Sequence, residues 1–279
     1  MSATSTPSLR EQTGIAASAG RIWGMVLRYW YVISSSWPRT AELIYWPLVQ
    51  MLTWGFLQTY LAQTTSLAGK AAGLFIGGVL LWDILVRSQL GFAVAFLEEI
   101  WSRNLGHLLM SPLRPTELVA ALIIVSLIKL MVAMVPVAAL AYFFFNFNVL
   151  SLGIAFAAFF ANLVIMSWSL GLVSTGVVLR WGLGAESFAW LIVFVFLPLS
   201  CVYYPVTTLP GWLQPVALAL PPAYVFEGLR AIVLNGTFEP RLMLTAFALN
   251  LVYFALGFAA FAWFLQRARV QGSLVQMGE

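Results

Sequence analysis

The chain has 279 residues, 62% of them hydrophobic and only 9% charged. A soluble domain carries about a quarter charged residues, so 14 Lys/Arg and 10 Asp/Glu cannot clothe a water-soluble globule. The composition excludes a soluble enzyme and identifies an integral membrane protein; the net charge of +4 matters less than where the charges fall.

In chain order, residues 1–19 read as a disordered Ser/Thr/Ala-rich segment without the apolar core of a secretory signal. Residues 20–40 predict an amphipathic helix, with Ile22, Trp23, Val26, Trp30, Ile33 and Trp37 on one stripe and Arg21, Gly24, Arg28 and Ser35 off it. Trp-rich helices of this kind lie in the membrane interface, and Pro38 ends it. Six apolar stretches follow, at 43–62, 72–97, 117–145, 150–179, 186–205 and 242–265, each near the ~20 residues a span requires. All must be helices, because lipid offers an open backbone no partners. Residues 41–266 thus form one all-α, six-helix transmembrane domain, with a tail over 267–279. Between the last two spans, 206–241 is apolar but interrupted by Pro215, Pro221 and Pro222. It predicts two short helices dipping into the outer leaflet, a broken re-entrant hairpin. Asn235-Gly236 supplies a turn; with Thr237 it also fits a glycosylation sequon, the less favoured reading. The single cysteine, Cys201, excludes an intrachain disulfide. No fixed-period repeat or matched pair of broken spans is visible.

The basic residues orient the chain. Arg10, Arg21, Arg28, Arg39, Arg103, Arg114, Arg180, Arg267 and Arg269 fall on one side, and Lys70, Arg230 and Arg241 on the other. The excess places both termini in the cytoplasm, as expected for a multi-pass inner-membrane protein.

The stretch FLEEIWSRNLGHLLMSPLRPTEL, 96–118, is a polar island between two greasy runs and holds the only histidine, His107. Leu97, Ile100, Trp101, Leu105, Leu108 and Leu109 alternate with Glu98, Glu99, Ser102, Arg103, Gly106 and His107 at a helical period. Glu99 and Arg103 stand in the favourable i,i+4 order. One helix over 96–110 is expected, on the inner membrane surface, apolar face inward and charged face toward the cytosol, stopped by Ser111-Pro112. Its plain reading is a connector; its functional reading is a docking surface for a cytoplasmic partner.

The island resembles the cytoplasmic loop of ABC-2 type transporter permeases. Glu98-Glu99, Leu108-Leu109, Ser111-Pro112-Leu113 and Glu117 match that family's pattern of an acidic residue, a Leu pair, Ser-Pro-Leu and a Glu before the third span. A second, distant match runs from Ser200 through Leu209-Pro210 and Pro221 to Tyr224 and Arg230. Pro222 departs from it, standing where the family has a bulky apolar residue, which puts the local bend in doubt. The resemblance implies a type V exporter fold and a half-transporter: a homodimer of this chain, in membrane lipid, above two copies of an ABC ATPase subunit. Glu98, Glu99, Trp101, Ser102, Arg103, Asn104 and Leu105 would form the coupling helix that enters the ATPase. Tyr203, Tyr204, Pro210, Pro221, Tyr224 and Arg230 would form the outer hairpin or gate. The chain itself lacks a P-loop: its only Gly-Lys, Gly69-Lys70, is followed by Ala71, with Thr64 in place of the first glycine. ATP and Mg are therefore expected on the partner, and no cofactor on this chain.

Within the spans, Asp83 and Arg87 stand at i,i+4 and Lys129 lies near the middle of the third. Such groups either pair to fix packing or line a pathway or latch. Gln50, Thr53 and Gln58 give the first span a polar edge. Ser167, Ser169, Gly171, Ser174, Thr175 and Gly176 make the fourth small-sided, a signal of close helix packing. No metal-ligand set, nucleophile–base pair or nucleic-acid-binding patch is legible. The reading is a permease for a hydrophobic or amphipathic cargo: a drug-like molecule, a lipid or a lipid-linked glycan. A proton- or ion-coupled carrier using Asp83, Arg87 and Lys129 is the alternative.

Overall fold

The structure, a computed structural model, describes residues 14–64, 68–145, 148 and 152–271. The expected disordered start before residue 14, the tail beyond 271, the first residues of the fourth span and the Lys70 side chain lie outside the described residues. In chain order the helices are α1 (Ile15–Ser34), α2 (Trp37–Thr64), α3 (Ala68–Trp101), α4 (Leu105–Met110), α5 (Pro115–Phe145), α6 (Ile154–Trp181), α7 (Glu186–Leu199), α8 (Gln214–Leu218), α9 (Pro221–Asn235) and α10 (Pro240–Gln271). No strand occurs among the described residues. Four helical stretches there are long and apolar enough to cross a membrane: Leu74–Trp101, Pro115–Phe145, Ile154–Leu199 and Pro240–Ala268. The six expected stretches differ for two reasons. α2 has 28 residues, but Pro47, Gln50, Thr53, Gln58 and Thr59 dilute its apolar run. The fourth and fifth stretches form one unbroken apolar run, divided only by a 3-10 turn at Gly182–Ala185.

That turn reverses the chain. Gly182 adopts a left-handed φ of 67°, a conformation costly for any residue with a Cβ, and α6 and α7 pack on each other. Gln89 on α3 donates to the Ala189 carbonyl of α7 at 3.0 Å and to Ser174 Oγ of α6 at 3.4 Å, so the two helices run side by side at one depth.

α3 is the hub. It is buried nearly all round, from Ile76 to Ile100, and packs on α2, α5, α6, α7 and α9, as expected of a helix apolar on every side. The α6–α10 contact is the most extensive. A Cβ added at Gly257 of α10 would stand 2.9 Å from the Ser169 carbonyl oxygen of α6, and one at Gly171 would stand 2.8 Å from the Phe92 ring. Small residues are what allow these approaches, as the small-sided α6 predicted. The hydroxyls of Ser167, Ser174 and Thr175 return to carbonyls of their own helix. Asn250 Nδ2 donates to Asn162 Oδ1 at 2.9 Å across the contact.

Three local expectations are corrected. α1 begins at Ile15 and ends at Ser34 rather than running over 20–40, and Pro38 sits in the first turn of α2, where its missing N–H costs nothing. The protein-facing stripe of α1 is Met25, Val26, Tyr29 and Ile33, packed on α5; Trp23, Trp30 and Trp37 are exposed. Both faces are apolar, so a period alone could not tell the protein side from the lipid side. The fifth stretch ends as helix at Leu199, not 205. Its 14 residues reach about 21 Å at 1.5 Å per residue, and Ser200–Pro205 continue as irregular backbone.

Candidate functional site

The polar island is not one helix over 96–110. α3 stops at Trp101, Arg103 takes a left-handed φ of 52°, and α4 begins at Leu105. Arg103 N–H donates to the Ile100 carbonyl and Asn104 N–H to the Glu99 carbonyl, both at 2.9 Å. These two bonds make a Schellman cap with arginine where glycine is usual. No glycine or proline marks it in sequence, and the helical period continues through it.

The break redirects the acidic residues. Glu98 and Glu99 were expected on the cytosolic face, with Glu99 paired to Arg103. Instead Glu99 is 1% exposed, lies 2.9 Å from Arg28 Nη2 of α1 and accepts a 2.8 Å bond from Asn104 Nδ2. Glu98 turns into the bundle, 3.3 Å from Lys129 Nζ of α5. Burial, with the Glu99 carboxylate alongside, pushes the Tyr29 hydroxyl well above its usual range. Two turns earlier on α1, Arg21 pairs with Glu117 at the start of α5. Glu117 also accepts from Ser18 Oγ at 2.7 Å and from Arg114 N–H at 2.9 Å. The sequence held this clamp in plain sight: Arg21 and Arg28 are seven residues apart, hence on one helix face.

What the α3–α4 corner leaves outward is Trp101, Ser102, Arg103, His107 and Met110, all exposed. Leu97, Leu105 and Leu108 are buried beneath. The Leu109 side chain lies outside the described residues; of the other expected apolar anchors Trp101 is turned out, its Nε1 donating to Glu186 at 3.1 Å at the start of α7.

Inside the bundle the structure joins Asp83 to Arg87 at 3.4 Å, as the i,i+4 spacing predicted, and Lys129 to Glu98. Gln50 and Thr53 join neither pair. Gln50 is half-buried on α2, and Thr53 Oγ1 bonds back to the Val49 carbonyl at 2.8 Å. Gln58 Oε1 accepts from the Ile76 N–H of α3 at 3.1 Å.

The expected outer residues gather around Arg230. Its Nη1 donates to the Cys201 carbonyl at 2.9 Å and its Nη2 to Glu227 at 3.1 Å; Glu227 in turn accepts from the Val206 N–H at 2.8 Å. The staple satisfies the irregular backbone after α7, where Cys201 holds a left-handed φ of 54°. Tyr203 stacks on Trp54 of α2, centroids 5.0 Å apart. Tyr204 donates to the Pro198 carbonyl at 2.7 Å. The Pro210 carbonyl accepts from the Leu213 N–H at 2.8 Å. Pro221 and Pro222 open α9, a place suited to proline's fixed φ, so the departure at Pro222 does not bend the helix. Tyr224 is half-buried on α9. Gly236, at φ 70°, ends it, in keeping with the Asn-Gly turn. No group of three His, Cys, Asp or Glu converges among the described residues.

The model of the ABC-2 type transporter family matches residues 25–234, well over half of the chain and including the corner, both intramembrane pairs and the Arg230 staple. The chain belongs to the ABC-2 type transporter family. No curated protein matches its sequence. As an ABC-2 permease it is a multi-pass membrane transport subunit rather than a catalytic one, and permeases of this family normally pair with an ABC ATPase.

Proposed function

We infer that the chain is the membrane half of an ATP-driven exporter in the inner membrane, working as a homodimer above two ATPase subunits that carry ATP and Mg. The observation that carries this reading is the α3–α4 corner. A six-residue helix and a left-handed arginine project an exposed knob of Trp101, Ser102, Arg103, His107 and Met110 from between two long apolar helices. The knob is braced from within by the Glu99–Arg28 pair and by Leu105 and Leu108. A rigid, outward knob on two spans suits a partner that must tilt those spans. Glu98, Glu99, Asn104 and Leu105 then hold the coupling element in shape, and Trp101, Ser102 and Arg103, with His107, meet the ATPase.

Six crossings are supported by the reversal between α6 and α7 and by the course of α2. At one end α2 shares a cavity with Glu98 and Trp101 of α3, and at the other Gln58 bonds Ile76. It therefore runs antiparallel to α3 along most of its length. α9 packs on α3, α6 and α10, which supports a segment re-entering the bundle from outside. Asp83–Arg87 and Lys129–Glu98 are two closed pairs, an arrangement that suits a latch between states better than a proton relay. The cargo is hydrophobic or amphipathic.

Co-purification with the partner ATPase tests this. Arg103→Glu with His107→Glu should leave thermal stability unchanged and lower ATPase capture at least fivefold, since like charges facing each other at an interface cost several kcal/mol. The isolated chain should hydrolyse no ATP. Unchanged capture by the double variant would mean that the corner is only a connector.

A further inference from the structure

α9 carries more polar groups than the Arg230 staple uses. At the end of α3 away from the corner, α9 packs on α3 and α10. Between them lies a cavity of about 620 Å³, within the range of ligand pockets, about 300–1,000 Å³. Arg230, Glu227 and Asn235 of α9, Glu239 of α10, Phe75 of α3 and Tyr203 line it. Of the five N–H groups of a guanidinium, Arg230 spends three, on the Cys201 carbonyl and the two Glu227 oxygens, and leaves two. The Asn235 side-chain amide adds donors from the same helix. Glu239 is exposed and has no hydrogen-bond or ion-pair partner among the described residues. Glu227 and Arg230 already neutralise each other. The lining therefore presents spare donors on α9 and one uncompensated carboxylate on α10, with open space between them rather than an ion pair.

We propose that this cavity holds a phosphoethanolamine head group, carried by a phospholipid of the adjoining leaflet. The spare donors call for an anionic acceptor, and the carboxylate for a cation that can donate. A phosphate joined to a primary ammonium supplies both in one ligand, and both contacts are charge-assisted, the strong kind of hydrogen bond. A purely anionic head would set its charge against Glu227 and Glu239, and a trimethylammonium head has no N–H to give Glu239. The rest of the wall is apolar: Leu74 of α3, Leu234 of α9 and Leu242 of α10. Leu234 is 44% exposed, so a glycerol backbone and its acyl chains leave the cavity along apolar side chains, which a lipid needs and a soluble phosphoamine does not. So seated, the head group ties α9 and α10 to the start of α3, beside the irregular backbone that Arg230 holds. The proposal concerns a lipid bound in place, and stands apart from the permease reading and its cargo.

The test uses the full chain in phosphatidylcholine nanodiscs doped with equal small amounts of phosphatidylethanolamine and phosphatidylglycerol of matched acyl chains, with retained lipids counted by native mass spectrometry. One phosphatidylethanolamine per chain is expected, enriched at least fivefold over phosphatidylglycerol. Glu239→Gln, at an exposed side chain, should lower that retention at least threefold with unchanged thermal stability. Ala231→Trp, which fills the cavity from α9, should abolish it. Arg267→Gln, exposed at the far end of α10, should change neither retention nor stability. Free O-phosphoethanolamine should not strip the lipid. Preferential retention of phosphatidylglycerol would leave a site for an anion alone, and displacement by O-phosphoethanolamine would make the ligand a soluble one. Either result, equal retention of all lipids, or retention indifferent to Glu239→Gln would overturn the proposal.

Discussion

Arg230 shows how one side chain lets an irregular strand of backbone lie inside a membrane protein. Non-helical chain at membrane depth is tolerated only where protein satisfies its polar groups. After Leu199 the helix is spent, and Ser200–Pro205 would leave carbonyls and N–H groups unmet. Arg230 takes the Cys201 carbonyl, and through Glu227 it fixes the carboxylate that takes the Val206 N–H. Arg230 is 9% exposed, while the Glu227 side chain is 30% exposed, so the two losses are unequal. Arg230→Ala removes a charged donor from a buried carbonyl, a loss of about 1.5–3 kcal/mol, and frees Glu227. Arg230→Lys keeps the charge but not the fork that reaches both partners. A melting series in detergent should rank wild type above Glu227→Gln, then Arg230→Lys, then Arg230→Ala. An Arg230→Ala protein that melts with the wild type would show that the outer segment holds itself.

The N-terminal helix and the α3–α4 corner form one mechanical element, joined at Arg28–Glu99 and Arg21–Glu117. Glu99 is buried and holds both Arg28 and Asn104, so Glu99→Ala releases α1 and loosens the cap at once. Arg28 is 39% exposed on its side chain and finds water when its partner is lost, which keeps the expected loss to about 1–3 kcal/mol. Glu99→Ala should therefore lower the melting temperature, whereas Arg103→Glu, on the exposed tip, should not; equal effects would mean that the corner is not braced from α1. This reverses what the sequence suggests, where Glu98 and Glu99 read as the outward face. A 3.6-residue period shows which positions share a side, but not which side meets a partner from α1 or α5. The long apolar helices are legible because lipid permits nothing else, and the Asp83–Arg87 pair because it is local. The corner is not, because an arginine takes the left-handed role that glycine normally signals. The cavity that α2 shares with Glu98 and Trp101 is not either, since its residues come from five helices and no local pattern links them.

For the whole molecule, the number of crossings rests on whether the turn at Gly182–Ala185 lies on the same side as the α3–α4 corner. The apolar run 154–199 gives no hint of a division. Yet the Trp101 indole donates to Glu186, which ties the end of α3 to the start of α7, and Gln89 touches α6 and α7 together. If α6 and α7 each cross, Gly20, Ser102 and Gly184 share one face of the membrane and Thr208 lies on the other. All four are exposed. Replacing the one native thiol by Cys201→Ser gives a background in which each site is tested as a single cysteine. A membrane-impermeant maleimide applied to intact cells should label Thr208→Cys and spare Gly20→Cys, Ser102→Cys and Gly184→Cys. In inside-out vesicles the pattern should invert. The excess of arginine on the first face is the reason to expect that face in the cytoplasm. Labelling of Gly184→Cys together with Thr208→Cys would put the turn outside, remove α7 and one of α5 and α6 from the crossings, and leave four. Labelling of Ser102→Cys from outside would turn the molecule over and remove the corner from reach of any cytoplasmic ATPase.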